Sequence, residues 1–335
     1  FKDLNSNGAL DVYEDYRQPV EDRVNDLLSQ MTTEEKTGTM IFSCLFGNNG
    51  AVVTNMDNSE VGNTGNPYID DPERALYSHN VFEEIGGNLW VNPMAYQIQD
   101  VHVTSFIAAL TGMPKDQLDL LNKVQAIAEE GRLGIPCVFS GDRSSKHFIA
   151  RGGRNAYVDA KSPANLIDSW LVGWQAVVDA GTQWVMCNNN EGITPGLMGY
   201  MDKDTYAILR EELGYDGIVC LDWIIPIHEL MSKTGVTSDG VDVSTLSATE
   251  RYALILNSGI DMLSSHCVVP GTDIEKYADV FGSFYPELIT EAVNQGLVTQ
   301  EDQDTHVRRI LKNKFDLGIF EDPYSDWNEA ALIIY

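Results

Sequence analysis

Two stretches of this chain combine residue types and spacings that can do chemistry. The first is Gly214-Tyr215-Asp216-Gly217-Ile218-Val219-Cys220-Leu221-Asp222-Trp223. A glycine turn launches an apolar run over 218–221, and the run ends on a carboxylate followed by an indole. A short apolar run bounded by turn residues reads as a buried parallel strand. Asp222 then lies at that strand's C-terminal end, where α/β barrels and open α/β sheets place reacting groups. A carboxylate beside an indole suits attack on an anomeric carbon, with the sugar's apolar face against the ring. The plainer alternative is a strand-end aspartate that caps the next helix.

The second stretch is Asp3-Leu4-Asn5-Ser6-Asn7-Gly8-Ala9-Leu10-Asp11-Val12-Tyr13-Glu14. It fits the twelve-residue EF-hand loop, with side-chain oxygens at positions one, three, five, nine and twelve, and glycine at six. The ligands would be Asp3, Asn5, Asn7, the backbone carbonyl of Ala9, Asp11 and a bidentate Glu14. Only two residues precede the loop, so the expectation is a structural Ca2+ staple and not a calcium switch. The alternative is an Asn/Asp-rich turn. No organic cofactor is expected, since no GxGxxG or Walker loop opens a helix.

The elements that must position Asp222 follow from periodicity. Apolar spacing predicts helices over 20–31, 116–131, 165–181, 205–213, 249–259, 286–295 and 300–316. Strands are predicted over 39–43, 135–140, 183–187, 218–221 and 261–264, with a sixth ending near 146–148. Helix and strand alternating in this way means a parallel sheet with crossover helices. Residues 47–75, rich in Gly, Asn and Asp, read as a long functional or mobile loop. The stretch 142–148 fits poorly, because a parallel pair needs a crossover of about a dozen residues.

The 335 residues carry 50 acidic against 22 basic side chains, a net charge of −28. Such a field repels nucleic acid and anionic membranes, and it suits a secreted, salt-tolerant or cation-binding protein. No run of about 18 apolar residues could span a bilayer. Cys44, Cys137, Cys187, Cys220 and Cys267 form no CxxC pair, which argues against a zinc site or a disulfide framework; they read as core. A start at Phe1 suggests a mature or trimmed N-terminus.

Several segments run in a recognisable order along the chain. They are Arg23-Val24-Asn25-Asp26-Leu27-Leu28-Ser29-Gln30-Met31-Thr32 with Glu34-Glu35-Lys36, and Ala126-Ile127-Ala128-Glu129 with Arg132-Leu133-Gly134-Ile135-Pro136. Next come Lys146-His147-Phe148, Ala180-Gly181 with Val185-Met186, and Arg210-Glu211 with Gly214-Tyr215-Asp216-Gly217. Leu221-Asp222-Trp223, Gly259-Ile260-Asp261-Met262 and Leu317-Gly318-Ile319-Phe320-Glu321-Asp322-Pro323-Tyr324 complete the series. In this order the chain resembles the barrel domain of glycoside hydrolase family three, the β-glucosidase and β-hexosaminidase family.

The resemblance implies a (β/α)8 TIM-barrel-like α/β domain over 17–325, behind the calcium loop of 1–16 and before a linker or tail over 326–335. It implies a retaining exo-β-glycosidase, most simply a β-glucosidase, acting on terminal β-linked sugars of a glycoside or oligosaccharide. Asp222 would be the nucleophile. Asp142, Arg143, Lys146, His147, Met186 and Trp223 would bind substrate. Neither nucleic acid nor membrane is an expected partner, and a secreted or periplasmic location is.

Two departures from the family pattern stand out. Family members usually carry some two further strand-helix units, with an arginine-bearing loop, between the motifs that here are Asp142 and Lys146. A barrel lacking that wall would expose sheet edges, which favours residues absent from this sequence over a shortened barrel. The second departure is the general acid. One branch of the family takes it from a following domain, so a C-terminal domain or subunit is an expected partner. The hexosaminidase branch uses an Asp-His pair, and here 152–161 offers Asp159 without a histidine. Glu191 is a further acid, read by default as a loop residue. A different class of function is a carbohydrate-binding or scaffold derivative that kept the barrel and lost catalysis.

Overall fold

The computed structural model describes residues 2–48, 77–79, 91–111, 114–140, 145–148, 171–189, 191–222, 227–264, 266–267 and 283–329. Contacts divide the chain into two compact units. The first comprises Phe1–Asp142, His266–Lys276 and Lys314–Tyr335, and the second Arg143–Ser265 and Tyr277–Asn313. Phe1, Asp142, Arg143 and Trp223, together with most of the predicted 47–75 loop, lie outside the described residues, as does Asp159.

In the first unit the helix Val20–Gln30 buries Arg23, Val24, Leu27 and Leu28, the i, i+3/i+4 stripe that an amphipathic helix turns to its core. Thr32 and Glu35 then form a capping box for the helix Thr33–Thr39, each satisfying an otherwise orphaned backbone N–H. Glu35 also takes both Nε (2.8 Å) and Nη2 (2.5 Å) of Arg132, a bidentate grip that pins the turn before the strand Val138–Ser140. Strands β1 (Ile41–Asn48), β4 (Ser105–Thr111) and β5 (Val138–Ser140) pair in parallel, with Phe42 opposite Ser105 and Ser105 opposite Val138. The strands β2 (Tyr77–His79) and β3 (Val91–Pro93) make a separate antiparallel pair. The helix Pro114–Glu129 connects β4 to β5, the crossover that a parallel pair requires.

In the second unit β6 (Ser145–Phe148), β7 (Trp184–Cys187) and β8 (Ile218–Cys220) form a parallel sheet in that order. Lys146 is opposite Met186, and Met186 is opposite Cys220. The helix Val172–Asp179 precedes β7. Beyond β8, Cys220 bridges in parallel to Met262, just before β9 (Leu263–Ser264). All three β8 residues are buried.

Several predicted bounds shift. Thr39 closes a helix and does not open a strand, because the Thr32–Glu35 box starts that helix early enough to absorb it. Residues 135–137 precede the ladder, which begins at Val138. The helix predicted over 205–213 is a short α-helix, Lys203–Ala207, continued by a π-helical turn, Ile208–Glu212. The strand predicted from 261 begins in regular form at Leu263. Around the awkward stretch at 142–148, β5 pairs with β4 and β6 with β7, and residues 141–144 lie outside the described residues. Cys137, Cys187 and Cys220 are buried thiols outside any disulfide, as expected of core cysteines.

Candidate functional site

Asp222 follows β8 directly. Leu221 donates its N–H to Met262 O at 2.8 Å, which keeps the chain extended to the last residue before the carboxylate. The Asp222 N–H then points at Cys187 Sγ, 3.2 Å away, so the end of β7 supports the backbone that carries the side chain. Burial pushes the Cys187 thiol well up, so it stays neutral and acts as a soft acceptor. The Asp222 side chain keeps 15% of its surface exposed, enough for a ligand to reach it.

Two neighbours meet the same carboxylate oxygen. Asn189 Nδ2 donates to Asp222 Oδ2 at 2.9 Å, and His147 Nε2 lies 3.5 Å from that oxygen. His147 belongs to β6, at the point where its register on β7 shifts between Lys146 and Phe148, and Asn189 stands two residues past the end of β7. His147 is buried. Phe148, the next residue, packs edge-on against Trp174 at 5.1 Å and tilted against Tyr206 at 6.3 Å, which anchors the end of the strand. Met186 is also fully buried, in the middle of β7.

The loop after β7 is tied down by Asp202. Its carboxylate accepts from Thr194 N and Thr194 Oγ1 at 2.9 Å, and from Thr205 Oγ1 at 2.8 Å. Asp202 also caps the helix that starts at Lys203. Glu191 accepts the Gly196 N–H at 3.3 Å, and its backbone bridges to Met198; these are the bonds of a loop acid.

Of the residues singled out by sequence, the structure brings Asp222 and His147 together and buries Met186 one strand away. Lys146 lies in β6 by backbone, and its side chain is outside the described residues, as are Asp142, Arg143 and Trp223. Asn189 was missed. Its signal is faint, the middle member of the run Asn188-Asn189-Asn190 just past a strand end.

The predicted calcium loop is separate from this site. Ser6 and Gly8 take positive φ of 56° and 80°, the left-handed turns that fold the loop on itself, and glycine is the residue suited to the second. Asp3 accepts from Asn7 N at 3.0 Å and Gly8 N at 2.9 Å. Asn5 and Asn7 both direct Nδ2 at Asp11 Oδ2, at 2.6 and 2.8 Å. Glu14, only 8% exposed, accepts from Leu4 N and Asp11 N. Among the described residues no three Asp, Glu, His or Cys side chains converge as a metal site. The loop's donor set is instead mixed, with three carboxylates, two amides and a carbonyl, all oxygens of the kind Ca2+ takes.

A family model described as the Glycosyl hydrolase family 3 N terminal domain matches residues 142–313. The chain belongs to glycosyl hydrolase family 3. The match covers the whole β6-β7-β8 sheet and Asp222, and the parallel sheets are those of the family's TIM-barrel-like α/β fold. Among curated relatives, the chain is 28% identical over 202 residues to a probable β-glucosidase C of Aspergillus oryzae, covering 57% of this chain and 29% of that protein. It is 24% identical over 472 residues to a periplasmic β-glucosidase/β-xylosidase of Dickeya chrysanthemi, covering 100% of this chain and 64% of that one. The chain therefore spans less than two thirds of either family member. The exo-1,3/1,4-β-glucanase structure from Pseudoalteromonas superposes with a TM-score of 0.45 at 18% identity, covering 90% of this chain and 43% of that one.

Proposed function

We propose that this family 3 chain is the nucleophile-bearing part of a retaining exo-β-glycosidase, in the simplest case a β-glucosidase. The carrying observation is a partly exposed carboxylate at the end of a buried parallel strand, with Asn189 donating to one of its oxygens at 2.9 Å. In the first step an Asp222 oxygen attacks C1 of the sugar. The C1–O bond to the aglycone breaks, and its electron pair leaves with the aglycone oxygen, which takes a proton from a general acid. Water then attacks C1 and gives up one proton to a base, keeping the other as the anomeric hydroxyl, and the C1–O bond to Asp222 breaks to release the carboxylate. A following domain or a partner subunit is the proposed source of the acid and base. Lys146, His147, Asp142, Arg143, Met186 and Trp223 are the proposed substrate contacts; lysine and imidazole donate to sugar hydroxyls, and carboxylates accept from them.

An activated aryl β-glucoside tests the reading, because a good leaving group needs little help from the acid. A burst of aryloxide stoichiometric with protein is expected, and Asp222→Asn should remove it. Sugar binding without a burst would show instead a carbohydrate-binding derivative of the same fold.

The loop 3–14 is proposed to bind a structural Ca2+ through Asp3, Asn5, Asn7, Ala9 O, Asp11 and Glu14. Its support is the ligand spacing and a buried Glu14 with no lysine, arginine or histidine paired to it among the described residues. A cation would displace the hydrogen bonds that Glu14 and Asp11 now accept. Millimolar calcium should raise the melting temperature by roughly 3 °C or more over chelated protein, and Glu14→Gln should cancel the rise. An unchanged melting point in calcium would remove the site. A secreted or periplasmic location is proposed with it, from the acidic surface and the calcium available outside the cytosol. Among the described residues no helix is long and apolar enough to cross a membrane.

A further inference from the structure

Asn189 carries more of the site than a single hydrogen bond. Its Nδ2 faces a carboxylate oxygen at 2.9 Å, and an ionised carboxylate only accepts. The amide is therefore oriented: the nitrogen must face Asp222, and Oδ1 must face away from it. That Oδ1 is buried and, among the described residues, has no hydrogen-bond donor. A buried carbonyl oxygen without a donor costs free energy unless a ligand or water supplies one. The uncommitted acceptor thus sits on the same planar group that fixes one oxygen of the candidate nucleophile. The same aspartate meets Cys187, whose sulfur takes the Asp222 N–H, and His147, 3.5 Å from Asp222 Oδ2. The Asp202 knot holds the loop that follows.

The geometry points to Asn189 as a bridge between nucleophile and sugar. Its Nδ2 is a positioning group that holds Asp222 Oδ2 and so fixes the orientation of the carboxylate that attacks. Its own Oδ1 is an acceptor for a hydroxyl of the bound glycoside. The inference rests on the β-glycosidase reading of Asp222. It adds a specificity element to that reading, since a sugar lacking the matching hydroxyl leaves the Asn189 oxygen unpartnered, which penalises binding more than a lost contact alone.

Two variants separate the two halves of the bridge. Asn189→Asp keeps the size of the side chain and an acceptor oxygen but sets a second carboxylate against Asp222 in place of the donor. Asn189→Ala removes both. In burst experiments with an activated aryl β-glucoside, the burst rate constant should fall about 10- to 100-fold in Asn189→Ala, the worth of a hydrogen bond to a charged group. It should fall further in Asn189→Asp, where like charges replace attraction. The half-saturating substrate concentration should rise about tenfold in Asn189→Ala and stay within about threefold of the unmodified protein in Asn189→Asp. A purely structural role predicts the opposite order, with the isosteric Asp milder than Ala, and that order overturns the bridge. So would rate constants within twofold of the unmodified protein in both variants, at unchanged melting temperature. If the unmodified protein gives no burst, or Asp222→Asn keeps it, the glycosidase reading falls and the bridge falls with it. A burst that is lost in Asp222→Asn but unaltered at Asn189 overturns the bridge alone.

Discussion

Asp261 is fully buried yet charged, because two guanidiniums, an imidazole and a backbone N–H surround it. Arg210 Nη2 lies 2.6 Å and Val219 N 2.8 Å from Oδ2; Arg309 Nη1 at 2.8 Å and His306 Nδ1 at 2.9 Å meet Oδ1. Burial alone would raise its pKa, but Arg210, His306 and Arg309 outweigh burial and hold the carboxyl well below the usual carboxylate range. Arg210 also donates to the carbonyls of Tyr215 and Gly217, so one charge cluster fixes both ends of the segment leading to Asp222. Asp261→Asn leaves the two guanidiniums without their counter-charge. Breaking a buried pair from one side costs about 3–5 kcal/mol, which urea unfolding at pH 7 should show; a loss under 1 kcal/mol would refute this account. At this scale the sequence was readable where chemistry and position coincide. Asp222 stands out because an apolar run stops on it. Asn189 does not, since three asparagines in a row look alike until the register of β7 on β8 decides which one meets the carboxylate.

Between residue and fold, the loop from Asn188 to Asp202 shows how an element positions the site. Gly192 is required there by close approach, not by backbone angle: a Cβ on it would run into the Asp202 carboxylate and Thr205 Oγ1. Since Asp202 holds Thr194 and caps the helix Lys203–Ala207, Gly192→Ala should displace the knot. A cost of roughly 1–3 kcal/mol is expected from overpacking, together with a fall in burst rate as Asn189 loses its footing. A variant that melts and turns over like the unmodified protein would show that the knot can yield without cost. Most long elements were legible: the helices 20–31, 286–295 and 300–316 fall within a residue or two of Val20–Gln30, Pro286–Asn294 and Gln300–Asp316. Strand β4 was not expected, because a short apolar run such as 105–110 fits a buried helix as well as a strand. The π turn at Ile208–Glu212 is invisible for another reason. Its apolar spacing is helical, and only the pull of Arg210 toward Tyr215, Gly217 and Asp261 distinguishes it from a regular turn.

Across the whole molecule the charge is heavily negative, and the solvated acids account for it without touching the fold. The informative charge is a positive one in the interior of the first unit. Lys314 is fully buried and donates from Nζ to Thr104 O at 2.6 Å and Pro136 O at 2.9 Å. Those carbonyls lie just ahead of β4 and β5, so one side chain near the end of the last helix secures the entry to two adjacent parallel strands. Burial pushes the Lys314 ammonium down to about 7, against about 10.4 in an unfolded chain. Between those values the unfolded state binds more protons than the folded one, so stability rises with pH across that window. The penalty for burying the protonated form is greatest near and below pH 7 and vanishes above about pH 10. Lys314→Met removes this linkage. It also leaves the two carbonyls without their donor, a cost that does not depend on pH. The difference in unfolding free energy between the unmodified protein and the variant should therefore shift by up to about 3 kcal/mol in favour of the unmodified protein between pH 7 and pH 9.5, measured by urea unfolding at both. A difference that is flat across those two pH values would mean that the two carbonyls keep the ammonium protonated throughout, and that burial loses to them.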